Sequence, residues 1–120
     1  MPKISVIMGV YNCKNYNSLE KSVKSIINQT YEDWEFIICN DGSTNNSLEM
    51  LNSVASLDKR IKIVSYKDNR GLASALNYCL QFANGEFIAR QDDDEDVSTP
   101  DRFEKQLKFL IQNKEYDFVG

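Results

Sequence analysis

Short apolar segments alternate with amphipathic segments along the whole of this 120-residue chain. Apolar and β-branched runs predict strands at Lys3–Met8, Trp34–Cys39, Ile61–Tyr66, Glu86–Arg90 and Tyr116–Val119. Between these strands, apolar residues recur at helical spacing and predict four helices. Such alternation is typical of parallel strands joined by crossover helices. It predicts an α/β fold with a mostly parallel, doubly wound sheet that carries helices on both faces.

Local signals predict where the helices begin and end. Asn17, followed by Glu20, fits a capping box at the start of the first helix. The second helix is expected over Asn46–Leu57, and Asn84–Gly85 is expected to stop the third. Thr99–Pro100 supplies an N-cap and a first helical residue for the fourth helix.

Composition and charge exclude several classes of protein. A chain of 120 residues that is 42% hydrophobic can bury the core of one small domain. A net charge of −4 gives no general attraction for nucleic acid or anionic lipid. No apolar run approaches the roughly 20 residues of a membrane span, and the N-terminus lacks a signal peptide's features, so a cytoplasmic protein is expected. Cys13, Cys39 and Cys79 form no C-x-x-C pair and are predicted to be buried apolar residues.

Five consecutive acidic residues, Asp92–Asp96, follow the fourth predicted strand. Like charges this close repel each other unless water or a cation screens them. Taken alone, such a run is more often a solvated turn. A calcium loop of the EF-hand type is excluded, because Val97 and Phe103 stand where glycine and glutamate are required. What remains is a D-x-D pattern, Asp92–Asp94, whose carboxylates suit Mg²⁺ or Mn²⁺.

The loops that follow the predicted strands are polar. They are Gly9–Asn12, Asn40–Thr44, Asp68–Gly71 and the acidic run. In an open parallel sheet, ligands bind at the carboxyl ends of the strands, so these loops are expected to share one binding edge. Neither a G-x-G-x-x-G motif nor a P-loop is present in the sequence. A phosphate ligand would therefore be held through a bridging metal ion.

Four motifs in order resemble family 2 glycosyltransferases of the GT-A fold. They are Ser5–Asn12, Ile37–Thr44, Asn69–Asn77 and Gly85–Gln106, which together span nearly the whole chain. The resemblance implies a Rossmann-like nucleotide-sugar-binding half. It also implies transfer of a sugar from a nucleotide diphosphate donor to a saccharide or glycoconjugate acceptor, with inversion and with Mg²⁺ or Mn²⁺ held by the D-x-D motif.

The resemblance also implies roles for individual residues. The donor-binding residues would be Val10, Tyr11, Asn12, Asp41, Gly42, Arg70, Gly71, Asp92 and Asp93. Val10–Asn12 would line the pocket for the base and ribose, and Asp41 would accept a hydrogen bond from uracil N3, so that a UDP-sugar is the expected donor. Gly71 would let the backbone approach the ligand. Arg70 would lie beside the ligand, although a solvated arginine is an equal alternative.

The metal ligands implied by the resemblance are Asp94 and Asp92. Asp94 would hold the ion that bridges the two phosphates, and Asp92 would also face the ribose or the donor sugar. The spacing from the motif to Pro100 is one residue longer than the family pattern. Alignment from Pro100 would move the motif to Asp93–Glu95, which leaves the register open. Asp92 and Asp94 are preferred because they keep the spacing from Ala89–Arg90.

This chain departs from the family pattern in composition and in length. Gly9 stands where a proline is usual, and Asn40 replaces a common first aspartate. Family members carry a second half with the acceptor site and a carboxylate general base, so the catalytic base is expected beyond Gly120. Residues 1–120 are therefore predicted to be one truncated donor-binding domain. The resemblance implies a cytoplasmic protein, with a place at the inner face of a membrane as an option. Apolar surface exposed by the truncation would favour self-association.

Two other functions are compatible with parts of the pattern. A catalytically inactive nucleotide-binding or scaffold module would keep the same fold. A phospho-receiver signalling domain has a similar length and an acidic Mg²⁺ site, but it needs an acidic pair after the first strand, where Gly9–Val10 stand. The sequence identifies neither the sugar nor the acceptor.

Overall fold

The computed structural model describes residues 2–93, 98–112 and 118–119. The strands are β1 Ile4–Val10, β2 Trp34–Asp41, β3 Ile61–Tyr66, β4 Phe87–Arg90 and β5 Phe118–Val119. The helices are α1 Tyr16–Ile27, α2 Ser47–Ala55, α3 Leu72–Leu80 and α4 Arg102–Gln112. The predicted order of strands and helices is therefore confirmed. Asp94, the preferred metal ligand, lies outside the described residues.

The five strands form one parallel sheet in the order β3-β2-β1-β4-β5. From β1 the chain moves outward to β3 and then crosses to the other side of β1 to form β4. The strand order thus reverses between β1 and β4, which is where ligands bind in doubly wound sheets. Phospho-receiver domains have the order 2-1-3-4-5, so this topology excludes that alternative.

Each face of the sheet carries its own apolar core. On one face the helices contribute Leu19, Val23, Ile26, Leu51, Val54 and Phe103. On the other face the core consists of Ile7, Ile37 and Cys39 of the sheet together with Ala75 and Cys79 of α3. A Cβ atom on Gly9 would lie 2.9 Å from Leu72 Cδ1 and 3.0 Å from Ala75 Cβ. Glycine at position 9 therefore allows α3 to pack closely on β1.

The predicted starts of α1 and α4 are each wrong by two residues. Helix α1 begins at Tyr16 because Asn15, rather than Asn17, is its cap, and Asn15 Oδ1 accepts a hydrogen bond from the Asn17 amide at 2.9 Å. Helix α4 begins at Arg102 rather than at Pro100. The cap of α1 is local, two residues before the predicted one, whereas the start of α4 also involves contacts with Gln29 and Thr30.

Further predictions concern the cysteines and the surface. Cys13, Cys39 and Cys79 are all buried free thiols, as the sequence predicted. Within the described ranges, no helix has the length and apolar character needed to cross a bilayer. The large exposed apolar side chains include Leu72, Leu80 and Phe82 on the α3 side. Self-association through such surface stays a prediction.

Candidate functional site

Asn12 joins the loop after β1 to the loop after β2. Its backbone has a φ of 48°, in the left-handed region that asparagine tolerates better than most residues. Asn12 Oδ1 accepts hydrogen bonds from the amides of Thr44 at 2.8 Å and Asn45 at 3.3 Å, and the Asn12 amide donates to Ser43 Oγ at 3.0 Å. These contacts fix Tyr11 and Asn12 relative to the end of β2.

A second set of hydrogen bonds extends this junction toward α1 and α2. Asn45 Nδ2 donates to the carbonyl oxygen of Cys13 at 3.1 Å, and the Cys13 amide donates to Ser47 Oγ at 2.7 Å. Asn45 Oδ1 in turn accepts from the Ser47 amide at 2.9 Å. The two loops therefore form one hydrogen-bonded unit, in which Asn45 and Ser47 are residues that the sequence motifs did not predict.

Asp41 is buried at the end of β2, where only 2% of its surface is exposed. Its Oδ1 accepts hydrogen bonds from the Tyr66 hydroxyl and, at 2.9 Å, from the Arg70 amide. Its Oδ2 accepts from Asn69 Nδ2 at 2.8 Å and from the Gly71 amide at 3.0 Å. A carboxylate offers about four lone-pair positions, and four donors converge here. Asp41 thus anchors the loop after β3 to β2.

The two predicted glycines serve this loop in different ways. Gly42 has a φ of 63°, and a Cβ atom there would lie 2.3 Å from the backbone of Asp68 and Asn69. Gly71 has a φ of 96°, yet its added Cβ would meet nothing within 4 Å among the described residues. Gly42 is therefore required by the close contact of two loops, whereas Gly71 is required by its backbone angle and faces open space.

Arg70 and Tyr66 stack at the edge of the same loop. The Arg70 guanidinium carbon lies 4.4 Å from the centre of the Tyr66 ring. Burial, together with the hydrogen bond to Asp41, raises the pKa of the Tyr66 hydroxyl well above its usual value. The hydroxyl therefore remains a proton donor to Asp41 at neutral pH.

A surface cleft of about 370 Å³ opens beside β1. Its walls are formed by Tyr11, Asn12, Cys13, Lys14, Asn15, Ser18 and Asp93. The cleft thus brings the loop after β1, the N-terminal end of α1 and the start of the acidic run together. Since this is the point at which strand order reverses, the cleft lies where doubly wound sheets bind ligands.

The described part of the acidic run offers two carboxylates. Asp92 has a half-exposed side chain whose Oδ1 lies 3.4 Å from Arg90 Nε, and its backbone oxygen accepts a hydrogen bond from Ser22 Oγ at 2.6 Å. Asp93 lines the cleft. Among residues 2–93, 98–112 and 118–119, no group of three or more acidic, cysteine or histidine side chains could hold a metal. Carboxylate oxygens nevertheless suit Mg²⁺ or Mn²⁺, so the residues present fit a hard cation.

Gln91 is a site residue that sequence reasoning missed. It is fully buried between α1 and α4, and its Nε2 donates to Ser22 Oγ at 3.0 Å and to Ser25 Oγ at 3.2 Å. Its Oε1 accepts from Ser98 Oγ at 2.9 Å and from Arg102 Nη1 at 2.8 Å. The signal in the sequence was a set of polar residues at helical spacing, Ser22 and Ser25 on the buried face of α1 and Gln29 just after its end.

The predicted site residues fall into two groups in the structure. Tyr11, Asn12 and Asp93 line the cleft, with Asp92 next to it in the chain. Asp41, Gly42, Arg70 and Gly71 form the hydrogen-bonded loop at the ends of β2 and β3. Val10 has 1% of its surface exposed and packs in the core rather than in the wall of the cleft.

The chain is similar to known proteins in sequence and in fold. EpsE of Bacillus subtilis (strain 168), provisionally named as a glycosyltransferase, is 47% identical over 120 residues, which are 99% of this chain and 42% of EpsE. The mannosyltransferase PcManGT from Pyrobaculum calidifontis, solved with GDP-Man and Mn²⁺, superposes with a TM-score of 0.79 at 25% identity. That match covers 91% of this chain and 32% of PcManGT.

A second solved structure has the same fold. TarS 1-349 of S. aureus, in complex with UDP-GlcNAc, gives a TM-score of 0.80 at 23% identity, over 93% of this chain and 32% of that structure. The chain thus spans less than half the length of EpsE and about a third of each solved structure. The profile described as glycosyl transferase family 2 matches residues 5–120. With this match over nearly its whole length and a GT-A-like parallel sheet, the chain belongs to glycosyl transferase family 2.

Proposed function

We propose that this chain is the donor-binding half of a glycosyltransferase that moves a sugar from a UDP-sugar to a saccharide or glycoconjugate acceptor, with inversion. The observation that carries this proposal is the cleft beside β1, where the exposed ring of Tyr11 and the carboxylate Asp93 face one opening at the reversal of strand order. Family membership and the donors bound to PcManGT and TarS support the same function.

In this proposal the nucleoside lies across the loops after β1 and β2. Tyr11 is 48% exposed and offers an aromatic surface to the base. Asp41 accepts a hydrogen bond from uracil N3, which requires one of its present donors to give way. Asn69 is exposed, so its side-chain amide can turn to water when the base binds. Arg70 lies beside this contact on the ring of Tyr66.

The diphosphate approaches a strongly acidic loop, so the repulsion between the phosphates and the carboxylates has to be compensated. A carboxylate and a phosphate oxygen about 4 Å apart repel by roughly 4 kcal/mol at an effective dielectric constant of 20. We assign Asp94 and Asp92 as the residues that hold Mg²⁺ or Mn²⁺, with Asp93 facing the donor. Asp92 is half exposed, and exchanging its contact with Arg90 costs little. When bound, the cation draws charge from the departing nucleoside diphosphate.

The acceptor site and the general base are assigned to residues outside this chain. EpsE is more than twice as long as the matched region. Inverting transfer requires a base that removes the proton of the attacking hydroxyl. The role of residues 1–120 is then to bind the donor and orient it toward a second half of the protein.

Calorimetric titration of UDP into the protein, in Mn²⁺ and again in EDTA, tests this function, with GDP and ADP as competitors for specificity. We expect binding that is selective for UDP and stronger in Mn²⁺. Asp41→Ala should weaken UDP binding in both conditions, whereas Asp94→Ala should remove only the metal-dependent part. Asp33→Ala, an exposed acid at the opposite edge of the sheet, is the matched control.

Three outcomes would contradict the proposal. Stronger binding of GDP than of UDP would overturn the choice of nucleotide, which matters because PcManGT was solved with GDP-Man. Equal losses for the Asp41 and Asp94 variants in both conditions would overturn the division of roles. Absence of any nucleotide binding would favour the inactive scaffold module instead.

A further inference from the structure

Two serines one turn apart on α1 hold the two sides of the acidic run. Ser22 Oγ donates to the backbone oxygen of Asp92 at 2.6 Å, and Ser25 Oγ accepts from the Ser98 amide at 3.0 Å. Both serines are buried, and both also accept from Gln91 Nε2. Residues on either side of positions 94–97 are therefore attached to the same face of one helix.

Arg102 makes the corresponding contacts from α4. Its Nη1 donates to Gln91 Oε1 and to Ser98 Oγ, each at 2.8 Å, and its Nη2 donates to the backbone oxygen of Arg90 at 2.9 Å. A guanidinium presents its donors in a fixed planar fork, so these contacts restrict its orientation. Arg102 thus connects the end of β4 to the residues just before α4.

The segment before α4 is held at two further points. Gln29 Nε2 donates to the backbone oxygen of Thr99 at 2.7 Å, and Gln29 Oε1 accepts from the Phe103 amide at 3.0 Å. The Thr30 amide donates to the backbone oxygen of Pro100 at 2.8 Å. These contacts explain why α4 starts later than Pro100, and they attach its first turn to the end of α1.

We propose that Gln91 and Arg102 are positioning residues for the acidic run. Ser22, Ser25, Gln91, Ser98 and Arg102 form one network, here called the Gln91 network, that sets where the run leaves β4 and where it rejoins α4. The members of such a network depend on one another, because removal of Gln91 takes one hydrogen-bond partner from each of Ser22, Ser25, Ser98 and Arg102. The inference rests on the proposed function only in assigning donor binding to this run.

Hydrogen exchange of the 120-residue chain, read by mass spectrometry without nucleotide or metal, tests the positioning directly. Gln91→Met keeps the side-chain volume but removes both polar atoms of Gln91. We expect the amides of residues 92, 93, 98 and 99, among them the Ser98 amide that donates to Ser25 Oγ, to exchange about tenfold faster, while β2 keeps its protection. Arg102→Lys keeps the charge but loses the planar fork, and it should give a smaller increase in the same segment. Gln81→Met, an exposed position at the end of α3, is the control.

Calorimetric titration of UDP separates positioning from simple loss of stability. In Gln91→Met we expect UDP affinity in Mn²⁺ to fall about tenfold while UDP affinity in EDTA stays within twofold of the wild type. If the wild type binds no nucleotide, the proposed function fails, but the exchange result still decides whether the network orders the run.

Unchanged exchange at residues 92, 93, 98 and 99 in both variants would overturn the inference. So would faster exchange spread equally over β2 and these four residues, because that result would indicate general destabilisation. Equal loss of UDP affinity with and without Mn²⁺ would show that the network acts elsewhere in the site.

Discussion

Strand β2 carries a buried carboxylate at each end, and the two differ in what they hold. Glu35 lies near the amino end with 5% of its surface exposed, and Asp41 lies at the carboxyl end with 2% exposed. They are six residues apart, so in a strand with a side-chain period of two they point to the same face of the sheet. The comparison thus keeps strand, face and burial constant while the partners change.

Glu35 joins separate parts of the fold. Its Oε2 accepts from Ser5 Oγ and from the Asn84 amide, each at 2.6 Å, and Lys62 Nζ lies 3.5 Å from Oε1. Burial raises the pKa of Glu35, but the hydrogen bonds from Ser5 and Asn84 and the Lys62 charge outweigh burial and lower the pKa below its usual value. This carboxylate connects β1, β2, β3 and the turn before β4.

Asp41, in contrast, holds a single loop. Its donors, the Tyr66 hydroxyl, Asn69 Nδ2 and two backbone amides, all come from residues 66–71. That loop presents Arg70 and the open side of Gly71 at the edge where ligands are expected. Glu35 therefore stabilises the sheet, whereas Asp41 fixes the geometry of the site. Stability and nucleotide binding should therefore respond separately to changes at the two ends.

The largest expected effect is the loss of stability in Glu35→Ala. This substitution leaves Ser5, the Asn84 amide and Lys62 without their buried acceptor, and we expect a loss of about 3 kcal/mol in the free energy of unfolding. Urea unfolding measures it, with Glu32→Ala, an exposed acid two residues before the strand, as control. UDP affinity of the folded protein should stay within twofold. A loss below about 1 kcal/mol would remove the distinction between the two ends.

The next largest effect comes from a matched pair, Asp41→Asn and Glu35→Gln. Each keeps the side-chain shape but replaces one accepting oxygen with a donor that faces other donors, and we expect each to cost about 2 kcal/mol. Only Asp41→Asn should also weaken UDP binding, by about tenfold, because only Asp41 fixes the loop of Arg70 and Gly71. Urea unfolding and calorimetry on the same samples check both expectations. Equal loss of UDP affinity in the two variants would contradict the comparison.

The amino-acid pattern predicted the architecture well because the spacing of apolar residues within each segment distinguishes strands from helices. β3 occupies the predicted Ile61–Tyr66, and all strands are parallel as expected. The error at the start of α1 is a choice between two nearby asparagines, whereas the error at α4 arises where distant residues contribute. The start of α4 depends on Gln29, which lies 74 residues before Phe103 in the chain. A capping signal at Thr99–Pro100 contains no information about that contact.

The same reasoning explains which parts of the site were predictable. Polar loops that follow strands of a parallel sheet must share one edge, so Tyr11, Asn12, Asp41 and Asp93 could be expected there. The Gln91 network could not be expected from local pattern, because Gln91 contacts Ser22 and Ser25 across 69 and 66 residues of sequence. Buried polar side chains find partners through the tertiary fold, and sequence spacing shows only that such partners are needed.

A smaller effect is expected from two hydroxyl donors, one at each end of β2. Tyr66→Phe removes the hydroxyl that donates to Asp41, and Ser5→Ala removes the hydroxyl that donates to Glu35 and also accepts from the Gly85 amide at 2.8 Å. We expect losses of about 1 kcal/mol for Tyr66→Phe and somewhat more for Ser5→Ala, measured by urea unfolding. UDP affinity should fall in Tyr66→Phe alone. A loss of UDP affinity in Ser5→Ala but not in Tyr66→Phe would contradict the assignment of Glu35 to stability and of Asp41 to the site.

The smallest effect concerns acid sensitivity, which should come in part from Glu35. Because its pKa is lower in the folded protein than in the unfolded chain, Glu35 adds stability that is fully present above the unfolded pKa near 4.5. That contribution is lost as the pH falls from about 5 through the lowered folded pKa. Glu35→Gln cannot titrate, so the stability gap between wild type and variant should narrow over this range. Urea unfolding at pH 7 and at successive steps below pH 5 measures the gap. A gap that stays constant or widens on acidification would show that the Ser5, Asn84 and Lys62 contacts do not favour the charged form of Glu35.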